Sequence, residues 1–125
     1  NIHYARRGEE LGWHFDNSSF AITLMINEVS SGGEFEYTEP LRGSSINQAK
    51  EFENINNVLN GKTEIKKISM KSGGLLLFNG KNSMHRVTKV HCDEIRILAV
   101  LAYNDKPGVS LSKSAQMTFY GRTDG

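Results

Sequence analysis

The stretch LGWHFDNSSFAITLMI, residues 11 to 26, places His14 and Asp16 two apart, directly before an apolar run. Alternate side chains of a strand share a face, so this imidazole and carboxylate would project together while Phe15 points the other way. Such a pair is either a solvated surface couple or two ligands of a 2-His-1-carboxylate iron site. Alone it decides nothing, since four His and four Asp in 125 residues give about 0.13 chance His-x-Asp pairs.

Two later residues bear on the choice. His85 follows the turn Gly80-Lys81-Asn82 near the start of a strand-like run. A ligand from that distant strand would close a facial triad; otherwise His85 is a half-buried strand residue bonded to backbone. Arg96 lies in IRILAVLAY, apolar on both faces, and shares its own face with Leu98, Val100 and Ala102. A guanidinium among such neighbours is costly unless an anion pairs with it, and no acid within that strand can serve. If Arg96 instead sits at the strand end, it reaches water beside Asp93 and Glu94. His91 competes with His85 as a ligand but falls in the polar turn HCDE.

The elements that must position these residues read as an all-β sandwich or barrel. Eight segments carry the β-branched or apolar pattern: 2 to 7, 12 to 16, 20 to 28, 33 to 37, 63 to 70, 74 to 80, 83 to 90 and 95 to 103. Turns at Asn17-Ser18-Ser19, Ser31-Gly32-Gly33, Ser72-Gly73-Gly74 and Gly80-Lys81-Asn82 separate several of them. One insert breaks the rhythm. From Ser45 to Asn60, apolar residues at Ile46, Ala49, Phe52, Ile55, Val58 and Leu59 predict a helix with one buried stripe, a packing element or a lid. Ser45 and Gln48 have capping-box spacing, and Gly61 suits the stop.

A chain of this length, with 38% hydrophobic residues, suits one domain. Fifteen basic and fourteen acidic residues nearly cancel, so nucleic acid is not the expected partner. No apolar run approaches membrane-spanning length, and Cys92 has no partner for an intrachain disulfide. A soluble, reducing location, the cytoplasm, is expected. The opening NIHYARRG has no Met, charged n-region or apolar h-region, so no signal peptide is legible and the start reads as that of a fragment or processed chain.

In order along the chain, Tyr4, His14-Phe15-Asp16, His85 and Arg96 resemble the pattern of the Fe(II)- and 2-oxoglutarate-dependent dioxygenases, particularly their prolyl-hydroxylase-like branch. The resemblance covers residues 2 to 103 and includes SSGGEFEY and GGLLLFNGKNSMHRV. It implies a double-stranded β-helix (jelly roll) with one short inserted helix, forming a dioxygenase domain over residues 1 to 125. It also implies Fe(II) on His14, Asp16 and His85, with Arg96 holding the far carboxylate of 2-oxoglutarate and Tyr4 donating a hydrogen bond to that cosubstrate. The implied reaction is oxidative decarboxylation of 2-oxoglutarate to succinate and CO2, coupled through O2 to hydroxylation of a small molecule, amino acid or amino-acid residue. Chlorinating relatives replace the acid of the triad by Gly or Ala, so Asp16 implies hydroxylation. Asn17, Trp13, Tyr37 and Arg122 are candidate substrate contacts, although Trp13 also suits core packing and Arg122 a solvated tail. His3 should face away from Tyr4 and is read as structural.

Relatives commonly carry helices before the first strand that cover one sheet. Here nothing precedes Asn1, so either the domain is cut down, lacking the covering helices, or a partner covers that face; the oligomeric state stays open, with an uncovered sheet favouring a homodimer. The rivals are a cupin-like module binding metal or sugar without redox turnover, which has no need of Arg96, and a structural jelly roll, which would bind no metal.

Overall fold

The strand-forming runs become eight strands and one helix in the computed structural model, which describes residues 1–104. They are β1 (Ile2–Ala5), β2 (Leu11–His14), β3 (Phe20–Asn27), β4 (Phe35–Tyr37), α1 (Gln48–Leu59), β5 (Lys66–Ile68), β6 (Leu75–Phe78), β7 (His85–Val87) and β8 (Arg96–Tyr103). One antiparallel sheet runs β1-β8-β3-β6 and the other β2-β7-β4-β5. Strands distant in sequence are therefore neighbours, and apart from the β4–β5 pair consecutive strands pass from one facing sheet to the other, as in a jelly roll. All eight expected segments hold a strand. Most are shorter than the apolar pattern, because only residues with a ladder partner stay extended.

Register decides which side chains enter the space between the sheets. Along β8, Arg96 pairs with Ala5, Leu98 with His3 and Met25, Val100 with Thr23, and Ala102 with Ala21. These residues share the inner face. Ala21, Met25, Leu98 and Val100 form a buried cluster there, with Met70 packed against it. The outer face of the same sheet is also apolar: Ile2, Tyr4, Leu24, Leu75, Leu77 and Leu101 are all exposed.

A second cluster, Leu41, Val58 and Met84 with Trp13, Phe15, Ile55 and Ile65 against it, lies under α1. The helix corrects two expectations. Its N-cap is Asn47, whose side chain accepts from the Lys50 N–H at 2.8 Å, so the Ser45–Gln48 box does not form. Gly61 does supply the stop: at φ +71° its N–H donates to Val58 and that of Lys62 to Asn57, closing a Schellman turn. The apolar stripe is only partly buried, because Val58 and Ile55 pack while Phe52 and Leu59 are exposed. Asn54, which donates to the Leu41 carbonyl at 3.1 Å, takes part of the inward face instead. No helix among the described residues is long and apolar enough to cross a membrane.

Candidate active site

Neighbouring strands of one sheet bring His14 and His85 together by direct pairing. His14 ends β2, His85 begins β7, the two are opposite one another in the ladder, and their ring centroids are 4.2 Å apart. Asp16 arrives differently. It lies beyond the end of β2, so strand alternation does not place it; its N–H donates to the Gly80 carbonyl at 2.9 Å and swings the carboxylate back toward the rings. Gly80 has a second part in this. A Cβ there would stand 2.1 Å from Asp16 Oδ2 and 2.6 Å from His85 Cε1, so only glycine lets the loop close over both. Nothing in the run LLLFNGKN marked Gly80 as more than a turn residue. We expect Gly80→Ala to weaken Fe(II) binding about tenfold to a hundredfold, the range for supporting groups behind a metal site, measured by anaerobic metal titration.

The hydrogen bonds determine what these groups can bind. His14 Nδ1 lies 2.7 Å from the Gly12 carbonyl and His85 Nδ1 3.0 Å from that of Ser83. A carbonyl only accepts, so each Nδ1 carries a proton, and Nε2 of each ring is the atom turned inward. Asp16 Oδ1 is 2.9 Å from His85 Nε2 and 3.5 Å from His14 Nε2, which is buried without a hydrogen-bond partner. Two imidazole Nε2 atoms and one carboxylate oxygen thus converge inside the protein, close enough that either a shared proton or a bound cation must join them. Their separations bracket the roughly 3 Å edge of an octahedron with bonds near 2.1 Å. The donor set of two imidazoles and one carboxylate suits Fe(II). Burial alone would raise the Asp16 carboxyl, but hydrogen bonds and charge from His14 and His85 hold it below its ordinary value. Among the described residues this is the group of three ligand-type side chains that converges.

Arg96 supplies the other end. It is 5% exposed, its Nε has no hydrogen-bond partner, and burial lowers its pKa to about 10, so it is cationic at neutral pH. A slot of about 60 Å³, narrower than most ligand pockets, is lined by the His14, Asp16 and His85 side chains and by Arg96. Phe35, Phe78 and Tyr37 form an aromatic wall on this inner side; the Phe78 and Phe35 rings stand 4.8 Å and 5.8 Å from His85, and Tyr37 packs on both. A larger hollow of about 440 Å³ touches Arg96 from the opposite end of the sheets but none of the three ligands. Its carboxylates are already engaged: Glu94 by Ser30, Glu28 by the Ser72 N–H and Glu34 by Lys67. The slot, and not the larger hollow, thus brings the three converging ligand-type side chains and Arg96 together.

Other expected residues fall elsewhere. Tyr4 does not reach the slot: it pairs with Ile97 on the outer face and is 55% exposed, one strand position out of phase with the cavity. His3, facing away from Tyr4 as expected, lines the slot beside Arg96 instead of serving only as packing. Trp13 joins the cluster under α1, with the Arg86 guanidinium 4.8 Å over its ring. Asn17 is exposed on the loop next to Asp16. His91 is an exposed loop residue beyond β7, away from the triad. Arg122 lies outside the described residues.

Residues 2–119 match the family model described as Halogenase D. The chain belongs to the Halogenase D family. No curated protein matches it. Among solved structures, this Halogenase D family member is similar to an oxidoreductase of the 2OG-Fe(II) oxygenase family from Burkholderia pseudomallei, at 16% identity and a TM-score of 0.55, over 84% of this chain and 44% of that one. It is also similar to a Pseudomonas putida prolyl-4-hydroxylase, at 13% identity and a TM-score of 0.56, over 83% of this chain and 51% of the other. The chain thus shares their fold and spans about half of their length.

Proposed function

We propose that this chain is a Fe(II)- and 2-oxoglutarate-dependent hydroxylase acting on an unactivated C–H of a small molecule, an amino acid or an amino-acid residue. The observation that carries this reading is one slot with three convergent ligand-type side chains at one end and a buried, incompletely paired Arg96 at the other. When bound, iron supplies O2 activation coupled to decarboxylation of the 2-oxo acid. The protein's part is to hold and to exclude. The Gly12 and Ser83 carbonyls fix the ring tautomers, Asp16 neutralises part of the metal charge, and the aromatic wall keeps water from His85. Ligands on one face leave the remaining metal positions to cosubstrate and O2. Asn17 and Tyr37 are the substrate contacts we propose, Asn17 from the loop beside the carboxylate and Tyr37 from the wall. A reducing compartment such as the cytoplasm suits the lone Cys92.

A cupin-like binding module is disfavoured by Arg96, which such a module does not require. Anaerobic titration with Fe(II) and 2-oxoglutarate should produce a weak visible charge-transfer band only when both are present, with slow conversion to succinate once O2 is admitted. A metal-only response without cosubstrate binding would point to the cupin-like alternative. Arg96→Ala should leave iron binding nearly intact and weaken 2-oxoglutarate binding by about 2 to 3 kcal/mol, the cost of stranding one partner of a desolvated charge pair. Calorimetry with Mn(II) in place of iron measures it, and an unchanged affinity would move the anchor elsewhere.

The partner we propose for the apolar outer face is a second copy of the chain. Leu77 and Leu101, 62% and 64% exposed, flank Ile22 on one sheet face that two copies could oppose about a two-fold axis. Sedimentation should show a dimer that Leu77→Glu with Leu101→Glu converts to monomer; a monomeric parent protein excludes it.

A further inference from the structure

The turn that carries Gly80 is fastened at three successive carbonyls. Gly80 accepts from the Asp16 N–H at 2.9 Å, Lys81 from Arg42 Nε at 2.7 Å and Asn82 from the Leu41 N–H at 2.7 Å. Two of the three fasteners therefore come from one dipeptide ahead of α1, and that dipeptide is itself anchored. Leu41 is buried with Val58 and Met84, and its carbonyl accepts from Asn54. Arg42 reaches a second part of the site. Its guanidinium carbon stands 4.0 Å from the centroid of the Phe15 ring, and Phe15 is the residue between His14 and Asp16. Among the described residues no carboxylate pairs with this half-buried arginine, so the ring and the carbonyl are the groups that hold it, and both belong to pieces of chain that flank the metal ligands.

We propose that Arg42 is a positioning residue of the metal site, tying the Phe15 ring to the Lys81 carbonyl so that Gly80 stays closed over Asp16 and His85. This rests on the metal-binding part of the reading above and not on its cosubstrate part. The need for such a tie follows from how Asp16 is placed. His14 and His85 are set opposite one another by the strand ladder, whereas Asp16 lies past the end of β2 and is turned toward the rings by its bond to the Gly80 carbonyl. The carboxylate is thus placed only as firmly as the turn. Gly80 cannot add packing of its own, because a Cβ there has no room. Backbone N–H groups hold the turn at its first and third carbonyls, and the Arg42 side chain holds the middle one. A guanidinium suits both tasks at once: its N–H donates with the help of the charge, and its plane lies against an aromatic face.

The test is titration of the metal-free protein with Co(II), followed by visible absorption, alongside thermal unfolding of the same metal-free proteins. Arg42→Ala should weaken Co(II) roughly threefold to thirtyfold, the scale of losing one charge-assisted hydrogen bond and one ring contact that act through the turn. Arg42→Lys should recover most of that loss, because it keeps a cation for Phe15 and an N–H for the carbonyl. Arg7 also donates to a loop carbonyl, that of His91 at 2.9 Å, but away from the triad. Arg7→Ala should therefore stay within about twofold, as for other exposed side chains remote from a site. The deciding comparison is a double-mutant cycle with Gly80→Ala. Once a Cβ has pushed the turn off Asp16, Arg42→Ala should add less than about twofold. Losses that add in full would place the effect of Arg42 outside the Gly80 turn and overturn the proposal. A lower unfolding temperature with unchanged Co(II) affinity would also overturn it, leaving Arg42 a stabilising residue only. Should Arg42→Ala not fold, Arg42→Met, which keeps a stem over Phe15 without the N–H, replaces it in both comparisons. If the parent protein binds no Co(II), the metal-binding reading fails together with this proposal; if it binds and the Arg42 variants match it, the role of Arg42 alone fails.

Discussion

His85→Ala is expected to abolish Fe(II) binding at micromolar metal, a loss of more than about a hundredfold, since even supporting groups behind a metal site are worth tenfold to a hundredfold. The buried His85 ring is held on both sides, by the Ser83 carbonyl at Nδ1 and by Asp16 at Nε2, so removing it deletes a ligand and also releases Asp16. Restored water cannot stand in, because alanine leaves a gap walled by Phe35 and Phe78 with no donor to orient a replacement ligand. His91→Ala should bind iron like the parent, being an exposed residue of a loop that does not join the triad. Anaerobic titration of the three proteins, with circular dichroism to establish folding, gives the comparison. Loss of metal in His91→Ala and not in His85→Ala would mean that the ligand set is misassigned.

How much of this was legible before the structure depended on whether a residue type carries its role with it. His14, Asp16, His85 and Arg96 stood out because an imidazole, a carboxylate and a guanidinium beside apolar runs demand partners, and the fold does bring them to one slot. Phase was harder. In β1 the alternation of Ile2, His3, Tyr4 and Ala5 suggests no inner side by apolarity, because the outer face of that sheet is itself apolar, with Tyr4 opposite Ile97. One residue of phase exchanges Tyr4 for His3, and only the register with Leu98 and Arg96 decides it. The same ambiguity turned the helix: Phe52 and Leu59 follow helical spacing yet stay outside, since α1 rests on a small cluster that needs only Ile55 and Val58. Gly80 was invisible for another reason. Its importance is an absent Cβ between Asp16 and His85, a contact across sixty-odd residues that no local pattern encodes. Asp16 stood out by type, but it reaches the two rings by a route that strand alternation does not give, because the strand ends at His14 and a loop hydrogen bond to Gly80 completes the turn.

On the proposed reading, Asp16 would also decide which reaction a bound metal could carry, in a chain whose family model is described as Halogenase D. Halogen transfer at such a centre needs a halide in the metal position that a carboxylate otherwise takes. Here Asp16 would take that position; it is 2% exposed, its own N–H donates to Gly80 and its carboxylate lies against both imidazoles. A second anion beside it would meet like charge in a dry site, so chloride is disfavoured and hydroxylation is expected. Asp16→Gly should lose more than about a hundredfold of hydroxylase activity, because deleting an anionic ligand weakens the metal and leaves a two-His site that only added halide could complete. Opening the position is not sufficient for chlorination. The substrate carbon must also lie closer to the halide than to the hydroxyl, and one substitution at the metal does not move the wall of Phe35, Tyr37 and Phe78 that borders it. Products of the parent protein and Asp16→Gly, formed in high chloride with a substrate found by screening amino acids, should therefore show hydroxylation by the parent and little product of either kind from the variant. A chlorinated product from the parent would remove Asp16 from the metal and return the His14–Asp16 pair to a hydrogen-bonded couple without a ligand role.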